Sequence, residues 1–244
     1  MNVPIPFASV FDRHGRCTSQ SSTTTYYDPS PTHSLSILRP IPPHPLPELF
    51  RTQERYVSVA VVVVYIGTVQ SNDRGHRIPM VARVSIVDYR GSVVLDTYVR
   101  PTHLIEDYRP RETGLQHDDL MNAPHFQDVQ LRVSSIIRNK IIVGHSLWNF
   151  LSVLGLSHPA LDTRDLALFR PLRKKLKSRS VVSLPTLVHL YMGRNVGMEY
   201  EDSLELSRAS MDLFRCCEQA LEKVVLDGGW PCNLPPETFA AYYT

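Results

Sequence analysis

Eleven residues, Tyr56 to Ile66, read YVSVAVVVVYI, and six of the eleven are valine. β-Branched side chains are stiff at χ1 and sit better on a pleated surface than around a helix. The run does not alternate, which predicts a central strand buried on both faces, as in α/β proteins. A bilayer takes roughly 20 apolar residues, so the run is too short to span one. Gly67 closes it, and no acid occurs between Tyr56 and Gln70. That absence bears on function below.

Residues 1 to about 50 differ in kind. They hold nine of the nineteen prolines, the polar run Thr18 to Thr25 and the segment PIPPHPLP at Pro40 to Pro47. Such a block buries too little apolar area to offset its ordering entropy, so a disordered Pro/Ser/Thr-rich tail is expected there. The remainder divides into a domain over 51–225 and an extension over 226–244. Net charge is only +2, so any affinity for nucleic acid must come from a local patch. The four cysteines lack CxxC spacing, which argues against structural zinc and a disulfide framework. No signal-like segment opens the chain, and an intracellular protein is expected, in the nucleus rather than the cytoplasm, with no membrane partner.

After a polar turn at Gln70 to Arg77, Val81 to Asp88 and Ser92 to Val99 extend the valine strand into a meander. Residues 100 to 124 read as a connection with one helical turn at Asp118 to Leu120. From His125 to Arg138 apolar residues recur at helical spacing. Lys140 to Val143 is a short strand, Leu147 to Leu156 a helix, and Leu161 to Phe169 a fifth strand and turn. Ser183 to Met192 and Ser203 to Val225 are two further helices. Between them and the fifth strand lies RPLRKKLKSR, Arg170 to Arg179, with six basic residues in ten. The order predicts an α/β layer architecture with a mixed sheet.

The strings ARVSIVDYRGSVVLDTYVRP, TGLQHDDLMNAP, IIVGHSLWNFLSVLGLSHP and DTRD, in that order, resemble the DEDDh 3′–5′ exonucleases. The nearest resemblance is to the subfamily of RNA exonuclease four and the interferon-stimulated exonuclease, over about Tyr56 to Arg215. It implies a ribonuclease H-like domain with a mixed five-stranded sheet flanked by helices. It also implies two Mg²⁺ or Mn²⁺ ions held by four carboxylates, with a histidine as general base. This chain departs from that set. The first-motif acid positions fall on Ala60 and Val62. In the second motif Gly144, His145 and Asn149 match, but the acid position is Phe150. In the third, Glu205, Arg208, Ala209 and Met211 match, the acid position is Leu206, and the base position five residues earlier is Glu201.

An apolar side chain has no lone pair for a divalent ion. The expected reading is therefore a pseudo-exonuclease with no catalytic residues, no metal ligands and no cofactor. It would bind RNA or single-stranded DNA, or a protein partner through the old cleft or the proline-rich tail. The phosphate-binding candidates are Arg170, Arg173, Lys174, Lys175, Lys177 and Arg179. Trp148 is a candidate to stack a base or to fill the old site, His145 a structural hydrogen-bonding residue, and Glu205 with Arg208 a helix-surface pair. Two other classes stay open. One is an active exonuclease rebuilt from Asp96, Glu201 and Asp202; the other is a protein-binding scaffold.

Overall fold

The computed structural model describes residues 53–67, 77–174 and 176–244. The proline-rich block and most of the turn after the valine run lie outside these residues, as does Lys175.

The valine run is β1 (Tyr56–Ile66), and it sits at the centre of the sheet. It pairs antiparallel with β2 (Ile78–Asp88), which pairs antiparallel with β3 (Val93–Tyr98). On its other side β1 runs parallel to β5 (Ile141–Gly144), and β5 runs parallel to β6 (Thr163–Asp165). The sheet has six strands rather than five. The sixth, β4 (Ile105–Asp107), is three residues long and pairs with the far end of β1 at Tyr65 and Ile66. Three residues are too few for a periodic signal, so the sequence reads them as connection.

Helices cover both faces. Short helices α1 (Pro110–Thr113) and α2 (His117–Met121) precede α3 (Phe126–Ile137) and α4 (Leu147–Leu154). A basic helix α5 (Arg170–Lys174), then α6 (Leu184–Met192) and the long α7 (Ser203–Leu226) follow. On one face Val57, Val59, Ile86 and Ile142 pack with Val129 and Val133 of α3 and with Leu151 and Leu154 of α4. On the other, Tyr56, Val87 and Val143 pack with Leu187 and Tyr191 of α6 and with Leu213 and Phe214 of α7. A smaller cluster joins Val62, Val64 and Ala82 to Leu115 and Leu120. β1 supplies all three clusters, which is why it carries valine without alternation.

Helix α7 presents Ser203, Ser207, Ala209 and Ser210 inward, all buried. Small side chains let its backbone approach the sheet, and the Ser203 and Ser85 hydroxyls share a buried hydrogen bond of 2.7 Å. Gly144 marks a second close approach. A Cβ there would stand 2.5 Å from the Leu147 side chain and 3.1 Å from the Val59 carbonyl oxygen. The first contact holds α7 against β2 and the second holds the β5–α4 turn against β1, around one opening.

The last nineteen residues dock on this body. His158 N–H donates to the Tyr242 carbonyl, and Thr244 N–H donates back to the His158 carbonyl. Trp230 is buried in the α6–α7 cluster, with Phe239 and Tyr243 packed against it. Cys216 takes part in a disulfide, against the sequence expectation, whereas Cys217 is a buried free thiol. No helix among the described residues is long and apolar enough to cross a membrane.

Candidate functional site

The opening is a cleft of about 480 Å³. One wall is β1 at Val59, Ala60 and Val61. The β5–α4 turn adds His145, Ser146, Asn149 and Phe150, and the third side comes from Glu201, Leu206 and Ser210. Four of the five positions singled out by motif, Ala60, Phe150, Leu206 and Glu201, thus meet in one place although 141 positions of sequence separate Ala60 from Glu201. Val62 does not line the cleft. By strand alternation it shares Ala60's face, but it is 2% exposed and packs with Ala82, Leu115 and Leu120.

The family's hard cations need oxygen ligands. Ala60, Val62, Phe150 and Leu206 offer methyl, isopropyl, phenyl and isobutyl groups instead, so the residues present do not fit the pair of ions. Phe150 is 3% exposed and belongs to the α3–α4 side of the core. Among the described residues no group of three or more histidines, cysteines or acids is placed to hold a metal.

The acids considered for a rebuilt site are engaged elsewhere. Arg83 donates to both carboxylate oxygens of Asp96, at 2.9 and 2.8 Å, and to Asp202 at 3.2 Å. The arginine and the Ser85 hydroxyl, at 2.7 Å, outweigh burial and hold the Asp96 carboxyl below its ordinary range. Asp202 also caps α7, accepting from the N–H groups of Leu204 and Glu205. Glu201 stands on the cleft rim, and Arg109 donates to it at 2.6 Å. The same guanidinium donates to the Val63 carbonyl at 3.2 Å and lies over the Tyr65 ring. Asp96 and Asp202 thus share one guanidinium and Glu201 is held by another, so each carboxylate is engaged by an arginine rather than free to gather a metal.

The polar floor of the cleft is a relay of neutral groups. His145 Nε2 lies 2.7 Å from the Val182 carbonyl, which places the proton on Nε2, and Ser146 Oγ lies 3.2 Å from Nδ1. Burial pushes the His145 imidazole below its ordinary range, and likewise that of His158, whose Nε2 reaches the Lys140 carbonyl at 2.9 Å. Each is therefore harder to protonate in the folded chain than in the unfolded one, where an imidazole takes up its proton around pH 6.5. Depressed folded values mean stability present above that point and lost as pH falls. The urea midpoint is therefore expected to drop between roughly pH 8 and 6, and a His145→Gln/His158→Gln double variant to show a shallower drop. An unchanged slope in the double variant counts against this assignment.

One residue escaped the motif reading. Ser146 adopts φ 57°, a left-handed conformation unusual for a non-glycine. Its N–H and that of Leu147 point at Asp165, whose carboxylate accepts them at 2.9 and 2.8 Å and takes Ala167 N–H at 2.9 Å. Asp165 is wholly buried, and burial pushes its carboxyl up to about 6 against the pull of these bonds. It holds the β5–α4 turn, and with it the cleft floor, in place. The only signal in sequence was the second aspartate of DTRD.

Three further residues differ from their sequence reading. Trp148 is 7% exposed and belongs to the α6–α7 cluster, so its ring is neither open to a base nor part of the cleft lining. Glu205 accepts from Gly197 N–H at 2.8 Å, and Arg208 donates to the Gly91 carbonyl at 3.1 Å. Those two reach neighbouring loops rather than each other.

The Exonuclease family model matches residues 67–198, more than half of the chain. The chain belongs to the DEDDh 3′–5′ exonuclease family. RNA exonuclease 4 of Mycosarcoma maydis is 38% identical over 162 residues, covering 66% of this chain and 41% of that protein. RNA exonuclease 4 of Candida albicans is 33% identical over 196 residues, covering 78% of this chain and 67% of that protein. The chain thus spans well under half of the Mycosarcoma relative. Among solved structures, the pseudoubiquitin hydrolase–RNA exonuclease module of Saccharomyces cerevisiae Pan2 superposes with a TM-score of 0.58 at 22% identity. That match covers 73% of this chain and 32% of Pan2's, and it bears out the ribonuclease H-like fold.

Proposed function

We propose that this member of the exonuclease family is an RNA-exonuclease-like binding protein that does not carry out two-metal phosphodiester hydrolysis. The observation that carries the reading is the cleft. It assembles the family's site from Ala60, Phe150 and Leu206, while Asp96, Asp202 and Glu201 are held by Arg83 and Arg109. The family's two-metal hydrolysis needs carboxylates to hold the ions and a histidine base to set the attacking water; here the ligand positions are apolar and the base position is Glu201, held by Arg109. A strand can still be held by cations, and Arg170, Arg173, Lys174, Lys177 and Arg179 form one patch. The same run supports a nuclear location. RNA is the favoured strand, since the matched relatives carry the name RNA exonuclease 4.

The test uses the full chain with Mn²⁺ or Mg²⁺ and 5′-labelled RNA and single-stranded DNA. The RNA is expected to remain full length and to be retained on the protein. If about five phosphates are contacted, affinity should fall about 100-fold between roughly 50 and 200 mM salt. Metal-dependent stepwise shortening from the 3′ end overturns the inactive reading, and salt-independent or absent retention overturns the binding one.

A further inference from the structure

The basic run does not lie along a groove. Helix α5 and the turn behind it wrap the run around a single cavity of about 530 Å³, lined by Arg170, Arg173, Lys174, Lys177, Arg179 and Asn233. Lys177 has φ 49°, and its left-handed turn curls the chain back towards α5. Among the described residues no acid lines the cavity, and none of its five cations forms an ion pair. By contrast, Arg83, Arg109 and Arg164 are each held by a carboxylate.

Two of the five are oriented without being neutralised. Arg170 Nε donates to Asn233 Oδ1 at 2.9 Å, and Asn233 is itself steadied by donating to the Leu168 carbonyl at 3.4 Å. Arg173 donates to the Ser180 carbonyl at 3.2 Å. These bonds occupy one donor on each guanidinium and leave the rest facing an open basin. Five like charges so arranged repel one another across distances that salt only partly screens. A passing strand presents single phosphates in file, whereas this basin concentrates charge at one point. Its volume suits a compact, highly charged group, such as the end of a bound strand, as well as a small ligand.

We propose that the basin is a site for clustered phosphates, taking the polyphosphate end of an RNA strand or a free polyphosphate of the same charge. Asn233, from the C-terminal segment, presets one guanidinium for it. The RNA carrier rests on the function proposed above, but the basin itself does not. Charge-assisted, forked contacts from arginine to phosphate are the strong kind, and guanidinium geometry favours them.

The experiment measures anisotropy of short 3′-labelled RNA bearing a 5′-hydroxyl, monophosphate or triphosphate, with inorganic tripolyphosphate as competitor and the full chain as receptor. The triphosphate end is expected to bind about tenfold tighter than the hydroxyl end or more. Tripolyphosphate should displace it. Arg173→Glu and, separately, Lys174→Glu should erase the preference, while Arg132→Glu on exposed α3 leaves it intact. Asn233→Ala should narrow it. Equal affinity for all three ends overturns the basin and leaves RNA binding standing. Tripolyphosphate binding without binding of any RNA supports the basin with a free polyphosphate and overturns the RNA reading.

Discussion

Replacing Asp165 with alanine is expected to destabilise the domain by about 3 kcal/mol or more, which urea denaturation at neutral pH would measure. The carboxylate is the acceptor for three N–H groups, those of Ser146, Leu147 and Ala167. Each buried donor left without an acceptor costs about 1–3 kcal/mol. Set against this is the burial that raises its carboxyl from 3.8 to about 6. A raised folded value means that the native state keeps a proton the unfolded chain releases. Ionisation of Asp165 therefore lowers stability as pH rises through that window, opposite in sign to the two histidines. Asp165→Asn separates the two effects, because it abolishes the titration while keeping one acceptor oxygen and setting an amide N–H₂ against the donors. A loss below about 1 kcal/mol for Asp165→Ala would show that the turn is held by other contacts.

Restoring the family's acids is expected to fail, first in chemistry and then in stability. Ala60→Asp with Val62→Glu should recover no nuclease activity, since Phe150 and Leu206 still interrupt the cage. Recovery would mean that the motif register over β1 is wrong. The glutamate should also be poorly tolerated. Position 62 is 2% exposed among Ala82, Leu115 and Leu120, and a carboxylate there lacks any partner. An unpaired buried charge of that kind costs about 3 kcal/mol or more. Adding Phe150→Asp removes a ring that is 3% exposed, with a further loss of about 3–5 kcal/mol. A four-acid variant that keeps the parent's urea midpoint would contradict this account of the cleft as core.

Much of the fold was legible because its elements carry their reasons locally. The valine run, the apolar period of α3 and the length of α7 each announce themselves within one stretch of chain. What escaped depends on distant partners. β4 exists through pairing with the far end of β1, and nothing in Ile105–Asp107 says so. Arg109 reaches Glu201 across 92 positions, and Arg83 joins Asp202 across 119. Those pairings decide what the acids are free to do, and sequence spacing does not reveal them. For the site itself, motif spacing located Ala60, Phe150, Leu206 and Glu201, which meet at the cleft. Val62, two residues along the same strand, is instead buried with Ala82, Leu115 and Leu120. The basic run was plain as composition, but its closure into a basin needed Lys177's turn and Asn233, from a segment that the sequence left without a role.

The two tryptophans give the molecule a one-sided reporter. Trp148, on the helix that floors the cleft, and Trp230, in the C-terminal segment, are both buried in the α6–α7 cluster. Intrinsic emission will therefore follow release of the terminal segment and loosening of that layer. It will follow the apolar cluster under α3 less directly, because that cluster contains no indole and Trp148, although on α4, is buried in the opposite layer. A denaturation curve read by fluorescence alone is therefore weighted towards the α6–α7 layer. Far-ultraviolet dichroism, which sees both layers, is the second probe that establishes whether the domain unfolds in one step.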